Sequence, residues 1–176
     1  MIVRPAGPDD APGLATVHVR SWQAAYRGLL PQGFLDAMVV STERADRWRE
    51  IVGADAAAGR ITFVATSDAA DADIVLGFAH VAPSRDDDAD ATTAELIAIY
   101  ALPDAFGTGV GRALMRAGLD WLAAAGYTQA SLWVLEGNAR AIRFYEAAGW
   151  RDDGTGKTDE LAGVTVTERR YRRALP

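Results

Sequence analysis

The sequence predicts a mixed α/β fold, in which helices flank a central sheet that is mostly antiparallel and contains one parallel pair of strands. Three observations support this prediction. The first third of the chain is patterned for helices, the middle is rich in β-forming residues, and the remainder runs strand, helix, strand, helix. A strand-helix-strand unit implies parallel pairing, because parallel strands need a long crossover connection.

The first third of the chain is predicted to be mostly helical. A short strand over 2–4 precedes a helix over 8–26, which opens with a proline in its first turn. Two shorter helices follow over 34–38 and 41–51, and a serine or threonine caps the second. This segment contributes helices that flank the sheet.

The middle of the chain carries β-rich runs. The runs over 61–65 and 74–81 are separated by a small-residue turn over 67–73, and this arrangement predicts an antiparallel hairpin. After a charged loop over 85–90, residues 95–102 form a nearly continuous apolar run, which is typical of a strand covered on both faces. That strand is predicted to lie at the centre of the sheet.

The last part of the chain alternates helix and strand. A helix over 110–125 is ended by Gly126, and a strand over 131–135 follows it. A second helix over 138–148 and a terminal strand over 164–171 complete the order. We expect a single domain over residues 1–176, without repeats or low-complexity tracts.

Composition argues against several classes of function. A net charge of −6 opposes binding to nucleic acid. The chain has no cysteine and only two isolated histidines, so no metal site is expected. No apolar run is long enough for a signal peptide or a membrane span, and we therefore expect a cytoplasmic protein without a membrane partner.

A glycine-rich loop separates the predicted central strand from the helix over 110–125. It comprises Phe106, Gly107, Thr108, Gly109, Val110, Gly111 and Arg112. Successive backbone N–H groups in such a loop converge on one anion, and the helix N-terminus adds unpaired donors and a partial positive charge. This spacing favours a pyrophosphate site, although glycines also occur in turns that bind nothing.

Two other nucleotide motifs fit this loop poorly. A dinucleotide-binding fingerprint needs a third glycine where this chain has Arg112, and a P-loop needs Gly-Lys-Ser/Thr, which is absent. The chain also lacks the N-terminal strand-glycine-helix unit of an NAD(P) enzyme. The loop therefore predicts a phosphate ligand of another kind.

Three segments in this order resemble the GNAT superfamily of N-acetyltransferases. They are the central strand with its following turn, over 95–103, the glycine-rich loop over 107–112, and the start of the last helix, over 138–145. The family's cofactor signature is Gln/Arg-x-x-Gly-x-Gly/Ala, and this chain carries Phe106 at its first position. Backbone amides contribute most of the pyrophosphate binding, so Phe106 removes one side-chain contact and leaves the binding mode intact. The resemblance implies a sheet with a splayed parallel strand pair that holds the cofactor.

The resemblance further implies that acetyl-CoA is the co-substrate and that no metal takes part. The pantetheine arm would pair with the central strand like an added strand, and a backbone N–H there would polarise the acetyl carbonyl. The implied cofactor-binding residues are Ile99, Tyr100, Ala101, Gly107, Thr108, Gly109, Val110, Gly111, Arg112 and Asn138. Asn138 also precedes a helix, where asparagine commonly acts as an N-cap.

Direct attack by an amine needs a base and an acid, because the amine is protonated at neutral pH and the leaving thiolate needs a proton. Glu95, at a strand position where some family members carry their base, is the first candidate. Glu136 is the second, and water alone is a third. Tyr145 occupies the family position whose hydroxyl lies near the CoA sulfur. Both leading candidates also have plain structural explanations, Glu95 as a solvated strand end and Tyr145 as a packed aromatic.

The resemblance leaves the acceptor open between a small-molecule amine and a peptide amine. Acceptor specificity in the family lies mainly in the N-terminal helices, where Trp22, Tyr26 and Phe34 either line a pocket or belong to the core. His18 is interpreted as a packed or surface residue, and the aspartates over 86–88 as a solvated loop. A CoA-binding sensor without turnover is the alternative function, and a monomer and a homodimer both stay open.

Overall fold

The computed structural model describes residues 1–67 and 74–175, so most of the predicted turn over 67–73 lies outside the described residues. The strands are β1 (Ile2–Pro5), β2 (Ile61–Thr66), β3 (Val75–Pro83), β4 (Thr93–Ala101), β5 (Gln129–Leu135), β6 (Arg151–Leu161) and β7 (Val164–Ala174). The helices are α1 (Ala11–Ala25), α2 (Gln32–Ala37), α3 (Thr42–Ala54), α4 (Val110–Ala124) and α5 (Ala139–Ala147). Within the described part of the chain, no helix combines the length and the apolar character needed to cross a membrane.

The seven strands form one sheet in the order β1-β2-β3-β4-β5-β7-β6. β4 and β5 are parallel, and the other neighbouring pairs are antiparallel. The helix α4 connects the parallel pair, as a crossover connection requires. The predicted mixed sheet with a single strand-helix-strand unit is therefore confirmed.

Helices cover both faces of the sheet. The ring of Phe78 on β3 lies 4.8 Å from that of Trp48 on α3, centroid to centroid. The adjacent Gly77 packs against α4 so closely that a Cβ there would lie 3.0 Å from Val110. Because neighbouring residues of a strand point to opposite faces, α3 with α1 covers one face and α4 covers the other.

β6 was not predicted from the sequence, and β7 extends three residues beyond its predicted end at residue 171. β6 is exposed along almost its whole length, so it lacks the alternation of apolar and polar residues that signals a strand. Its pairing with β7 comes from the backbone and from a two-residue turn at Ala162 and Gly163, which have φ angles of 56° and 75°. Two left-handed residues in succession match the right-handed twist of a hairpin.

His18 on α1 lies within an aromatic cluster between the helices and the sheet. Its ring centroid is 5.3 Å from Trp22, 5.9 Å from Trp48 and 6.0 Å from Tyr100. Burial disfavours the charged imidazole and, with a smaller contribution from Arg44, lowers the pKa of His18 to about 4. The interpretation of His18 as a packed residue agrees with this environment.

We expect acid to destabilise the fold through His18. The unfolded chain binds a proton at His18 near pH 6.5, whereas the folded chain binds it only at about pH 4, so stability falls as the pH is lowered through this window. The loss is on the order of 2 kcal/mol. Urea denaturation at pH 7, 5 and 4 measures it, and the variant His18→Gln should lose less stability over the same range. Equal losses in both proteins would contradict this assignment.

Candidate active site

The parallel pair β4 and β5 is joined over only three residue pairs. Thr93, Ala94 and Glu95 pair with residues 129–131, and the two strands then diverge while both continue. Beyond Glu95, β4 keeps its antiparallel partner β3 on one edge only. The other edge faces a cavity of about 550 Å³, so the sheet is open where a strand is missing.

A β-bulge in β4 lies directly after the last pair. Leu96 is opposite Val81 and Ala98 is opposite His80, so Ile97 is an extra residue on β4. Such a bulge bends the strand and increases its twist, which accounts for the divergence from β5. It also shifts the side-chain alternation, so Glu95 and Tyr100 share one face although they are five residues apart.

The predicted pantetheine segment lies on this open edge. Ile99, Tyr100 and Ala101 are in β4, pair with β3 and line the cavity. Their positions leave the opposite edge of the backbone available to an extended ligand, which is the geometry of β-strand addition. The structure therefore brings this segment to the place that the sequence predicts.

The glycine-rich loop closes one end of the cavity. Gly107 and Gly109 have φ angles of 77° and 96°, a backbone conformation that favours glycine. Among residues 1–67 and 74–175, the N–H groups of the following loop residues donate to no protein acceptor: Gly107, Gly109, Val110, Gly111 and Arg112. The first hydrogen bond of α4 comes from Ala113 to the carbonyl of Gly109. The loop thus offers five unpaired donors beside a helix N-terminus.

Thr108 differs from the rest of the loop. Its N–H and its hydroxyl both donate to the carbonyl of Ala105, at 3.4 Å and 2.8 Å. Thr108 therefore stabilises the turn, and its backbone amide is already used within the protein.

Arg140 of α5 adds a cation beside the loop. Its guanidinium lies 3.3 Å from the centroid of the Phe106 ring, within the range of a cation–π contact. Arg140, Arg112 and Asn138 all line the cavity. The side-chain oxygen of Asn138 accepts from the N–H of Ala141, which confirms the N-cap and leaves its side-chain NH2 group for other contacts.

Arg140 was missed by the sequence analysis because it is far from Phe106 in sequence. The loop has a phenylalanine where the family signature has a glutamine or arginine, and the ring of that phenylalanine positions an arginine from another helix. Only the packing of α5 against the loop reveals this pairing.

Glu95 is a buried carboxylate at the cavity wall. Its side chain is 5% exposed, and it accepts two hydrogen bonds from Arg85, from Nη2 at 2.9 Å and from Nε at 3.0 Å. These bonds raise the pKa of Arg85. Glu136 is exposed and is absent from the described residues that line the cavity. Of the two candidate carboxylates, the structure places Glu95 at the cavity and Glu136 on the surface outside it.

Tyr145 of α5 lines the same cavity and is 9% exposed. Burial, with a smaller contribution from Tyr100, raises the pKa of its phenol. The hydroxyl is therefore protonated at neutral pH. Glu95 and Tyr145 lie on different elements, and the open sheet brings both to one cavity.

Aromatic residues from the N-terminal part of the chain also line the cavity. Trp22 of α1 and Tyr26, the residue directly after α1, both line it, and the Tyr26 hydroxyl lies 3.1 Å from that of Tyr100. Phe34, the third residue proposed from the sequence, lies on α2, is 36% exposed and is absent from the described cavity lining. Two of the three aromatic residues are therefore placed at the cavity.

The hairpin of β6 and β7 adds two charged residues that the sequence analysis missed. Lys157 and Glu168 line the cavity, and the Lys157 ammonium lies 3.3 Å from a Glu168 carboxylate oxygen. The same ammonium lies 4.1 Å from the centroid of the Trp133 ring. Lys157 was not identified because the strand that carries it was not predicted. Glu168 lies within the predicted terminal strand, where no sequence signal linked it to a site.

The loop over 86–88 is solvated at Asp87 and Asp88, as expected, whereas the side chain of Asp86 is only 12% exposed. Asp86 accepts from the indole N–H of Trp133 at 2.9 Å and from Arg170 at 3.3 Å. Asp88 also pairs with Arg170, whose side chain is 6% exposed. The buried Arg170 on β7 forms ion pairs with Asp86 and Asp88, and these pairs fix the loop that carries Arg85. That arginine was not identified from the sequence.

Proteins of known structure share this fold. The ribosomal-protein-alanine N-acetyltransferase from Brucella melitensis superposes with a TM-score of 0.76 at 20% identity, over 99% of this chain and 100% of that chain. A GNAT superfamily phosphinothricin acetyltransferase from Sinorhizobium meliloti, solved with acetyl-CoA, superposes with a TM-score of 0.72 at 21% identity, over 99% and 88% of the two chains. The fold is that of N-acetyltransferases.

Sequence similarity assigns the family. Residues 20–150 match the acetyltransferase (GNAT) family. YuaI from Bacillus subtilis strain 168, an uncharacterized N-acetyltransferase, is 32% identical over 169 residues, which cover 94% of this chain and 88% of YuaI. The chain therefore belongs to the GNAT family of acetyltransferases, and the resemblance drawn from three sequence segments is confirmed.

Proposed function

We propose that this protein transfers an acetyl group from acetyl-CoA directly to a primary amine of a small molecule or peptide. The observation that supports this most is the combination, in one cavity, of an unpaired β4 edge and a loop of unpaired amides. A CoA thioester has an extended arm and a pyrophosphate, which match these two features.

The cofactor lies along β4 in this proposal. Its pyrophosphate accepts hydrogen bonds from the amides of the glycine-rich loop, with Arg112 and Arg140 as cationic neighbours. The pantetheine arm pairs with the edge at Ile99, Tyr100 and Ala101. Thr108 acts by holding the turn, and Asn138 contributes its free NH2 group.

The chemical step uses Glu95 and Tyr145. Glu95 accepts a proton from the acceptor ammonium, directly or through water, and the nitrogen lone pair then forms a bond to the acetyl carbon. A backbone N–H of β4 stabilises the developing oxyanion. The C–S bond breaks, Tyr145 donates its proton to the thiolate, and a proton leaving the new amide nitrogen restores the phenol. The products are the acetylated amine and CoA, and Glu95 releases its proton to solvent.

The alternative is a sensor that binds CoA without turnover. The placement of both Glu95 and Tyr145 on the wall of the cofactor cavity favours catalysis, because a sensor needs neither an acid nor a base there. Release of CoA in the presence of an amine distinguishes the two functions.

Acetyl-CoA should raise the melting temperature of the protein. At a concentration of 100 times Kd, binding adds about 2.7 kcal/mol of stability, which corresponds to roughly 5–10 °C for a chain of this length. Thermal unfolding with acetyl-CoA, NADH and ATP at matched concentrations measures the effect. NADH and ATP lack the pantetheine arm and should stabilise the protein much less. Equal shifts with all three ligands would argue against a CoA site.

Removing the Tyr145 hydroxyl should slow the chemical step. We expect Tyr145→Phe to lower kcat by about 100-fold, within the range for loss of a general acid, while the Kd for acetyl-CoA changes little. Tyr127→Phe, which removes a hydroxyl outside the cavity, is the matched control. If Tyr145→Phe keeps full kcat, Tyr145 is not the acid.

Replacing Glu95 with glutamine should make the rate more dependent on pH. At pH 7 we expect a loss of about 100-fold in kcat/KM, because the variant has no base and reacts only with the small fraction of acceptor that is already deprotonated. The difference in kcat/KM between Glu95→Gln and the unaltered enzyme should become smaller towards pH 9–10. Glu136→Gln, at the exposed second candidate, serves as the control. A pH-independent gap would assign Glu95 a purely structural role.

A further inference from the structure

The part of the cavity around Glu95, which we call the acceptor end, is charge-balanced. Apart from Arg112 and Arg140 beside the glycine-rich loop, the described residues that line the cavity include four charged side chains, which form two ion pairs, Arg85 with Glu95 and Lys157 with Glu168. Each carboxylate thus already has a cationic neighbour. A ligand that carries only positive charge would meet Arg85 and Lys157 as well as the carboxylates, so this end of the cavity offers little net attraction to a polyamine.

The pair of Arg85 and Glu95 has the geometry of a zwitterion site. Its two hydrogen bonds, at 2.9 Å and 3.0 Å, set a guanidinium and a carboxylate side by side. Glu95 is held in the wall, whereas the Arg85 side chain is 69% exposed and is able to turn towards a ligand. An α-amino acid carries its ammonium and its carboxylate on a single carbon, so its two charges match this pair in spacing and in sign.

Contacts of the neighbouring residue hold the backbone of Arg85 in place. Asp86, the next residue, accepts from Trp133 at 2.9 Å and from the Ser131 hydroxyl at 3.2 Å. Both donors are on β5, the strand that diverges from β4 after Glu95. The loop is therefore fixed at the mouth of the cavity, and only the guanidinium needs to move.

We propose that the acceptor is a free α-amino acid, whose carboxylate binds Arg85 while its α-amine lies beside Glu95. This proposal rests on the proposed acetyl transfer. The ligand carboxylate replaces Glu95 as the partner of Arg85, which frees Glu95 to accept the proton of the α-ammonium. The N–C bond then forms and the C–S bond breaks as in the proposed reaction, and the product is an N-acetyl amino acid. Trp22 and Tyr26 provide an apolar wall for the amino-acid side chain.

Matched acceptors that differ only at the carboxylate test this proposal. Leucine, phenylalanine and methionine are each compared with the corresponding amino-acid amide and decarboxylated amine, with CoA release as the assay. We expect kcat/KM to be at least tenfold higher for the amino acid than for either analogue. The amide is the stringent comparison, because its less basic amine is more easily deprotonated.

The variant Arg85→Met assigns this preference to one residue. The ratio of kcat/KM for amino acid over amide should fall to about 1 in this variant and should be partly kept in Arg85→Lys. Arg49→Met, which removes an arginine from a surface ion pair on α3, is the matched control and should keep the full ratio. Because both acceptors are measured on one protein sample, the ratio does not depend on the folded fraction.

The outcomes separate this proposal from the proposed function. CoA release with amines but without a carboxylate preference, or a preference that survives Arg85→Met, would overturn the amino-acid acceptor and leave acetyl transfer intact. Binding of acetyl-CoA with no turnover of any of the three amino acids would also overturn it. Failure to bind acetyl-CoA at all would instead remove the proposed function.

Discussion

The site depends on the early end of the pairing between β4 and β5. Only three residue pairs join these strands, and a bulge at Ile97 turns β4 away from its neighbour immediately afterwards. A continuous sheet would satisfy the backbone of β4 on both edges and would leave no cavity between the layers. The divergence therefore creates the open edge, the cavity and the access of Tyr145 to that cavity.

The charges at the acceptor end of the cavity are arranged as paired groups. Arg170 is 6% exposed and holds Asp86 and Asp88, and the loop fixed in this way carries Arg85 to Glu95. Removing one member would leave a buried or half-buried charge without its partner, which costs more than the pair contributes. The net charge of the chain therefore says little about the acceptor, because the local groups are balanced.

The parts of the site that were predictable depend on the backbone. Gly107 and Gly109 indicate a turn with left-handed residues. A helix that begins after such a turn has unpaired N–H groups in its first turn, whatever the rest of the tertiary structure is. Residues 95–102 likewise indicate a buried strand by composition alone. The exposed edge strand β6, which carries Lys157, gave no such signal, because its residues are mostly polar and show no alternation of apolar and polar side chains.

The sequence by itself determined the order of elements, the glycine-rich loop and the resemblance to an acetyltransferase family, because these depend on residues that are close together in the chain. Only the tertiary structure decided which charges meet. Arg140 of α5 contacts the ring of Phe106 in the glycine-rich loop. Arg85 donates hydrogen bonds to both carboxylate oxygens of Glu95. Lys157 forms an ion pair with Glu168 across the β6–β7 hairpin. Such contacts join residues through packing and strand register, which no local pattern of residues specifies.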